Sequence, residues 1–390
     1  MAASYAPGDM DRRPFLERIP LPLRFMLVAL ALYMFLVGIG SMGTAFKGMG
    51  KGFTEDLLGT SANPFVSLFI GILATTLVQS SSTTTSIIVG LVAAGAIPFQ
   101  TSVYMIMGAN VGTTVTNTIV SIGHVTRTNE YQRAFAAATV HDFFNLIALA
   151  ILFPLEVFTG WLSKLAGLAM GGFEGVGGTS LANPIKMVTK PTIKLLDKCC
   201  GSLAGDSGKM VLLVVALLLT FIALTMLVKM LKSIMVKRLE NLFDRVLFRS
   251  AFHSLTFGFI LTVLVQSSSI TTSIAIPLVG AGVLTIRQVM PYTMGANIGT
   301  TITALLAALA AMGAASDGAE MDMASLGLRL AFFHVMFNTV GVVMMWKFRE
   351  IPIKMAETFS SLTMRNRLIP MVYIVVVFYL IPFVVVLLGR

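Results

Sequence analysis

Two short polar stretches carry the residue types that can do chemistry, and each occurs twice. Gln79, Ser80, Ser81 and Ser82 recur as Gln266, Ser267, Ser268 and Ser269. Asn110, Thr113 and Thr116, in a Gly-Ala-Asn-Val-Gly-Thr-Thr setting, recur as Asn297, Thr300 and Thr303. Residues 71–118 align with 258–305 without a gap at a constant offset of 187 residues. Apolar sequence drifts freely among Leu, Ile, Val and Ala, so chance does not preserve two polar islands at one spacing. The chain contains an internal repeat.

The chemistry on offer is binding. Serine hydroxyls and free backbone N–H groups at helix starts hold oxyanions. Hydroxyl and amide oxygens without a carboxylate fit a monovalent cation better than a transition metal. A hydrolase reading fails on composition of the site: neither Ser81 nor Ser268 has a His-plus-carboxylate set in sequence, and Gly-x-Ser-x-Gly is absent. The chain is therefore not read as an enzyme. An anion channel stays open as an alternative, because inverted hairpins occur in channels too.

The elements that position these islands must sit in a bilayer. Of 390 residues, 56% are hydrophobic and 12% charged, and the mean hydropathy is +0.86. A soluble chain carries about twice that charge. The net charge of +10 lies between apolar spans rather than on one face with aromatics, which points to lipid headgroups and not to nucleic acid. Cys199 and Cys200 are neighbours, a poor disulfide pair, and are expected as free thiols.

Residues 1–23 are expected to form a cytoplasmic tail and 24–153 the first transmembrane repeat; residues 154–208 form an external loop with one amphipathic piece at 183–198. Residues 209–346 form the second repeat, and 347–390 a cytoplasmic loop with a final span. Within the repeats, spans fall at about 24–41, 99–120, 133–153, 209–230, 288–312 and 326–346, with a last one at 368–389. The stretches 65–96 and 251–284 have apolar ends, polar centres, and arms too short to cross, so each is expected as a re-entrant helical hairpin. Glycines 108, 112, 295 and 299 permit a break in the span after each hairpin, although Gly-xxx-Gly also marks close helix packing. With the N-terminus in the cytoplasm most Lys and Arg fall inside, the basic run 229–249 included. Three spans separate equivalent points, so the copies have opposite orientation. The expectation is an all-α polytopic membrane protein of about seven spans plus two hairpins, with the inverted-repeat architecture of secondary transporters. His141 and His334 share a His-x-x-x-Asn pattern, expected to make interhelical hydrogen bonds, with a pH-sensing role as the alternative.

The doubled Gln-Ser-Ser-Ser and Gly-Ala-Asn-(Val/Ile)-Gly-Thr-Thr motifs, with the segment Arg133–Asn145, resemble the type II sodium-dependent phosphate cotransporters over about residues 30–350. The resemblance implies symport of Na⁺ with inorganic phosphate and no other cofactor. It implies phosphate near Gln79, Ser80, Ser81 and Ser82, with Gln266, Ser267, Ser268, Ser269, Asn110 and Asn297. It implies Na⁺ at Gln266, Thr300 and Thr303, and repeat symmetry adds Gln79, Thr113 and Thr116. A Na⁺ symporter for sulfate or a carboxylate is the neighbouring alternative. Animal members have a longer external loop with a disulfide, and some carry Ser where Ala296 stands; the bare loop here points to a member from a bacterial inner membrane. Oligomeric state is not legible.

Overall fold

The computed structural model describes residues 19–58, 63–122, 128–247, 250–315, 318–366 and 368–389. Every element among them is helical. In chain order these are α1 (Leu21–Leu58), α2 (Pro64–Val78), α3 (Ser81–Ala93), α4 (Phe99–Gly112), α5 (Thr114–Ile122) and α6 (Thr128–Thr159). There follow α7 (Trp161–Gly175), α8 (Ala182–Ala204), α9 (Gly208–Leu247), α10 (Ala251–Val265) and α11 (Ser268–Gly280). The last are α12 (Ile286–Ala314), α13 (Ala319–Met345), α14 (Glu350–Arg365), α15 (Ile369–Ile374) and α16 (Ile381–Leu388), the final pair joined by a π-helical turn at Val375–Leu380. Among the described residues six helices are long and apolar enough to cross a membrane: the longer parts of α1, α6 and α9, the whole of α12 and α13, and the continuous run from α15 to α16. The chain is a polytopic membrane protein.

The two hairpins are built by the same local rules. In the first, Asn63 caps α2 by accepting from the N–H groups of Phe65 and Val66, with Pro64 in the first turn where its missing N–H costs nothing. Gln79 then stops α2 in the left-handed region (φ 56°), and Ser80 starts α3 by accepting from Thr83 N–H. In the second, Ser250 caps α10, Gln266 stops it (φ 57°), and Ser267 starts α11. At about 1.5 Å per residue, arms of 15 and 13 residues reach roughly 20 Å, short of the ~30 Å hydrocarbon core.

Packing then exchanges the hairpins. Each first arm lies along the span of its own repeat, α2 on α4 and α10 on α12. Each second arm crosses to the other repeat: α3 packs on α12 and α13, and α11 on α6 and α5. Arg133 of α6 fixes the second crossing by donating from Nε and Nη2 to the Gly280 carbonyl at the end of α11 (2.9 and 2.7 Å). The exchange places both hairpin tips at the junction of the repeats.

Glycine permits the close approach of the first arms. A Cβ on Gly71 would fall on the Met105 carbonyl, and one on Gly108 on the Leu68 carbonyl; the equivalents Gly258 and Gly295 face the Tyr292 and Leu255 carbonyls in the same way. Gly112 and Gly299 face Ile72 and Phe259. Close packing is therefore what these glycines do in both copies.

Three expectations need correction. The span after the hairpin is broken only in the first copy, at Thr113 between α4 and α5; α12 runs through Gly299 without interruption. After the shared Gly-Thr-Thr the first copy continues Val-Thr-Asn-Thr, a run of weak helix formers, whereas the second continues Ile-Thr-Ala-Leu-Leu-Ala-Ala. The Ala/Leu run keeps α12 helical. Secondly, 154–208 is no irregular loop: it holds the end of α6, all of α7 and all of α8, the last containing the expected amphipathic piece. Thirdly, α1 extends well past residue 41, and within the expected loop after residue 346 the stretch Glu350–Arg365 forms the amphipathic helix α14. Residues 1–18 of the expected tail, and the side chains of the basic run beyond Ile234, lie outside the described residues. Cys199 is exposed and Cys200 buried, both free thiols.

The glycine contacts predict that Gly258→Ala destabilises the protein by about 1–3 kcal/mol through overpacking. Gly171→Ala, where a Cβ meets nothing within 4 Å, is expected to cost nothing. Thermal unfolding in detergent, followed by light scattering, compares the two.

Candidate functional site at the paired hairpin tips

Each tip folds its glutamine in the same way. The Gln79 amide Nε2 donates back to the Thr76 carbonyl (2.5 Å), and its Oε1 accepts from Thr116 Oγ1 (3.0 Å). Gln266 donates to the Val263 carbonyl (2.5 Å) and accepts from Thr303 Oγ1 (2.9 Å). The family resemblance and the repeat symmetry grouped Gln79 with Thr113 and Thr116, and Gln266 with Thr300 and Thr303; the structure brings Thr116 and Thr303 into hydrogen-bond contact with the two glutamines. Ser80 and Ser267 are occupied as helix caps.

The tips also meet each other. Ser82 Oγ of the first lies 3.3 Å from the Gln266 carbonyl of the second and 3.4 Å from Thr300 Oγ1. Thr300 in turn donates to Ser268 Oγ (3.2 Å). Thr113, the counterpart of Thr300, donates instead to the Ala109 carbonyl of its own helix. Exposure differs as well: Gln79 is exposed while Gln266 is 7% exposed. Ser81, Ser82, Ser268 and Ser269 are all buried.

Asn110 and Asn297 lie one layer deeper, in a hydrogen-bond chain that joins both repeats through α6. Thr272 Oγ1 donates to Asn117 Oδ1 (2.9 Å), and Asn117 Nδ2 reaches His141 Nδ1 (3.3 Å). His141 Nε2 meets Asn297 Oδ1 (2.6 Å), and Asn297 Nδ2 donates to Asn145 Oδ1 (2.7 Å). Asn110 Nδ2 donates to the same oxygen (3.3 Å). The chain assigns the His141 proton to Nε2, since Nδ1 receives an amide N–H. His141 thus makes the interhelical bonds expected of it. His334 does not: it is fully buried and neither ring nitrogen has a partner, nor does Asn338 Oδ1.

Sequence reasoning missed two features. Thr75 and Thr262 stand at equivalent positions one turn before each glutamine, both fully buried, and neither hydroxyl has a partner. Each faces the last glycine of the paired motif, Gly112 and Gly299. The alignment at an offset of 187 residues contains both, but one or two Thr in an apolar run carry no signal of their own. The second is Asp142, beside His141 on α6 and fully buried. Its Oδ2 accepts from Thr118 Oγ1 of α5 and from Tyr373 Oη in the last span, both at 3.3 Å, and its Oδ1 has no partner. A lone Asp in an apolar run was the available signal. Two cavities of about 410 and 450 Å³ lie away from the tips. The first opens by the end of α3 between Lys47, Lys190 and Glu320, the second by Arg133 and Arg287.

A polytopic helical membrane protein with two exchanged hairpins and one shared polar junction is the class that fold and site define. Residues 34–174 and 218–364 match the family described as Na⁺/Pi-cotransporter, and the chain belongs to that family. It is 32% identical to sodium-dependent phosphate transport protein 2A of Rattus norvegicus, over 94% of this chain and 67% of the relative. It is 29% identical to sodium-dependent phosphate transport protein 2B of Homo sapiens, over 93% of this chain and 64% of that one. No solved structure matches the chain.

Asn297→Ala leaves the His141 Nε2–H unpaired in a buried site, at about 1–3 kcal/mol, and takes from the Asn145 oxygen the shorter of its two bonds. A lower unfolding temperature is expected from the same melting measurement, with Asn110→Ala costing less because only one bond of 3.3 Å is lost.

Proposed function

We propose that this chain symports Na⁺ and inorganic phosphate across a cell membrane by alternating access. The observation that carries the reading is the meeting of the two repeats at the hairpin tips, Ser82 against Gln266 and Thr300, in a chain of the Na⁺/Pi-cotransporter family. Two helix N-termini converging on one junction favour an anion there. In this reading phosphate lies among Ser81, Ser82, Ser268, Ser269 and the starts of α3 and α11. Gln79 with Thr113 and Thr116, and Gln266 with Thr300 and Thr303, supply oxygens to Na⁺.

Phosphate carries one to two negative charges at neutral pH, and no Lys or Arg stands in either tip. Co-bound Na⁺ offsets that charge, which makes the two ligands mutually dependent. Asp142 supports the same reading, because a carboxylate buried in a span without a basic partner favours a cation close by. The repeats are read as inverted, with the N-terminus in the cytoplasm and the first hairpin dipping from the outside. The exposed Gln79 beside the buried Gln266 then fits a state open on the first hairpin's side. A bacterial inner membrane is the setting this reading assumes.

Labelled phosphate uptake into proteoliposomes tests it. Accumulation above the external level is expected with an inward Na⁺ gradient and not with a matched K⁺ gradient. Uptake that only equilibrates, whatever the cation, would instead make the protein a channel or uniporter. Competition by sulfate or a carboxylate at equal potency would reassign the substrate. Thr303→Val removes the hydroxyl that meets Gln266 and is expected to raise the Na⁺ concentration for half-maximal uptake by about tenfold, the equivalent of ~1.4 kcal/mol. Ser269→Ala is expected mainly to raise the KM for phosphate.

A further inference from the structure

His141 and His334 occupy matching places in the two repeats. Each is followed one turn later by an asparagine, Asn145 or Asn338. Each sits on a helix that packs against the Gly-Ala-Asn span of the other repeat, α6 on α12 and α13 on α4. The packing is therefore equivalent, yet the hydrogen bonding is not.

In the first repeat the set is complete. His141 bonds Asn117 and Asn297, and Asn145 holds Asn297 as well. In the second it is unmade. His334 is fully buried with both ring nitrogens unpaired, Asn338 Oδ1 is unpaired, and Asn338 Nδ2 donates only to the His334 carbonyl of its own helix (3.1 Å). A neutral imidazole carries one donor and one acceptor, and leaving both unmade in a span is costly. Leucine would fill much the same space without that cost. The penalty is understood if the missing partners arrive in another state of the protein.

Repeat symmetry names the partner. Asn297 is what His141 and Asn145 hold, and its counterpart is Asn110. Asn110 lies on α4, the span that α13 packs against, and its amide reaches Asn145 at only 3.3 Å. We propose that His334 and Asn338 are positioning residues for the opposite end state of transport. In that state Asn110 leaves Asn145 and joins His334 and Asn338, while His141 and Asn145 release Asn297. The two states then differ by an exchange of asparagines, and neither strands every polar group in the spans.

The exchange is unequal, and that gives the states different weights. Asn117, which extends the first line to Thr272, has Ala304 as its counterpart. The second line is one member shorter, so the state that makes it is the less populated one without ligands. The proposal rests on the alternating-access reading above.

The test uses thiol labelling in detergent, without Na⁺ or phosphate. Cys199 and Cys200 are replaced by Ala, and Gln79→Cys or Gln266→Cys is the single reporter. Gln79→Cys is expected to react readily and Gln266→Cys slowly. His334→Leu is expected to slow Gln266→Cys at least fivefold further, because it removes bonds that only the minor state makes. It is also expected to raise the unfolding temperature, since it removes unpaired polar groups from the major state. His334→Gln, which restores a donor and an acceptor, is expected to bring the labelling rate back towards that of the parent. Asn338→Leu should act as His334→Leu does. An unchanged Gln266→Cys rate in both leucine variants, or a His334→Leu protein that melts lower or fails to fold, overturns the proposal. Labelling needs no uptake, so failure of Na⁺-coupled transport and failure of this exchange are separate results.

Discussion

The structure depends on a line of amide, imidazole and hydroxyl groups from Thr272 through Asn117, His141 and Asn297 to Asn145 and Asn110. It draws on the broken span and α6 of the first repeat and on α11 and α12 of the second. In a low-dielectric interior each unmade bond in such a line is costly, so satisfaction of all of them fixes how the repeats register. A purely apolar junction would let helices slide past one another, because lipid and Leu are equivalent surroundings. The polar line removes that freedom just beneath the hairpin tips.

Around this line the backbone is arranged by small residues. Gly71, Gly108 and Gly112, with Gly258, Gly295 and Gly299, bring the first arm of each hairpin against its span until backbone faces backbone. The second arms cross to the opposite repeat. The hairpin tips, where helix starts and hydroxyls coincide, are thereby delivered to the same point from two sides.

The repeats agree in motif and differ in detail, and the differences are chemical. One span breaks at Thr113 and its twin does not; Gln79 is open and Gln266 closed; Thr300 reaches the other hydroxyls while Thr113 stays on its own helix. Asp142 has no twin at all, since Val335 follows His334. Duplicated sequence supplies the same motif twice, and divergence after it, from Thr-Asn-Thr to Thr-Ala-Leu, decides which span breaks.

The sequence by itself determined the membrane class, the repeat, the hairpins and the residues at their tips. Polar groups in apolar runs are costly, so those that stay are visible, and an exact spacing makes them unmistakable. The capping serines follow from local rules, whereas Gln79 and Thr116 were grouped only through the family resemblance and the repeat symmetry. Tertiary structure alone decided the rest. Tyr373 and Asp142 are 231 residues apart, and no periodicity links an aspartate in α6 to a tyrosine in the last span. That His141 is fully bonded while His334 is not was equally hidden, because both lie in the same four-residue pattern. The crossing of α3 and α11 to opposite repeats is likewise invisible, since an apolar helix face reads the same whichever partner covers it. That α12 stays whole where α4 ends is the exception, since the residues downstream of an identical motif carried that difference in the sequence. Local sequence sets what each element can do; which partner it does it with is settled only by packing in three dimensions, where interaction energies depend on distance and not on position in the chain.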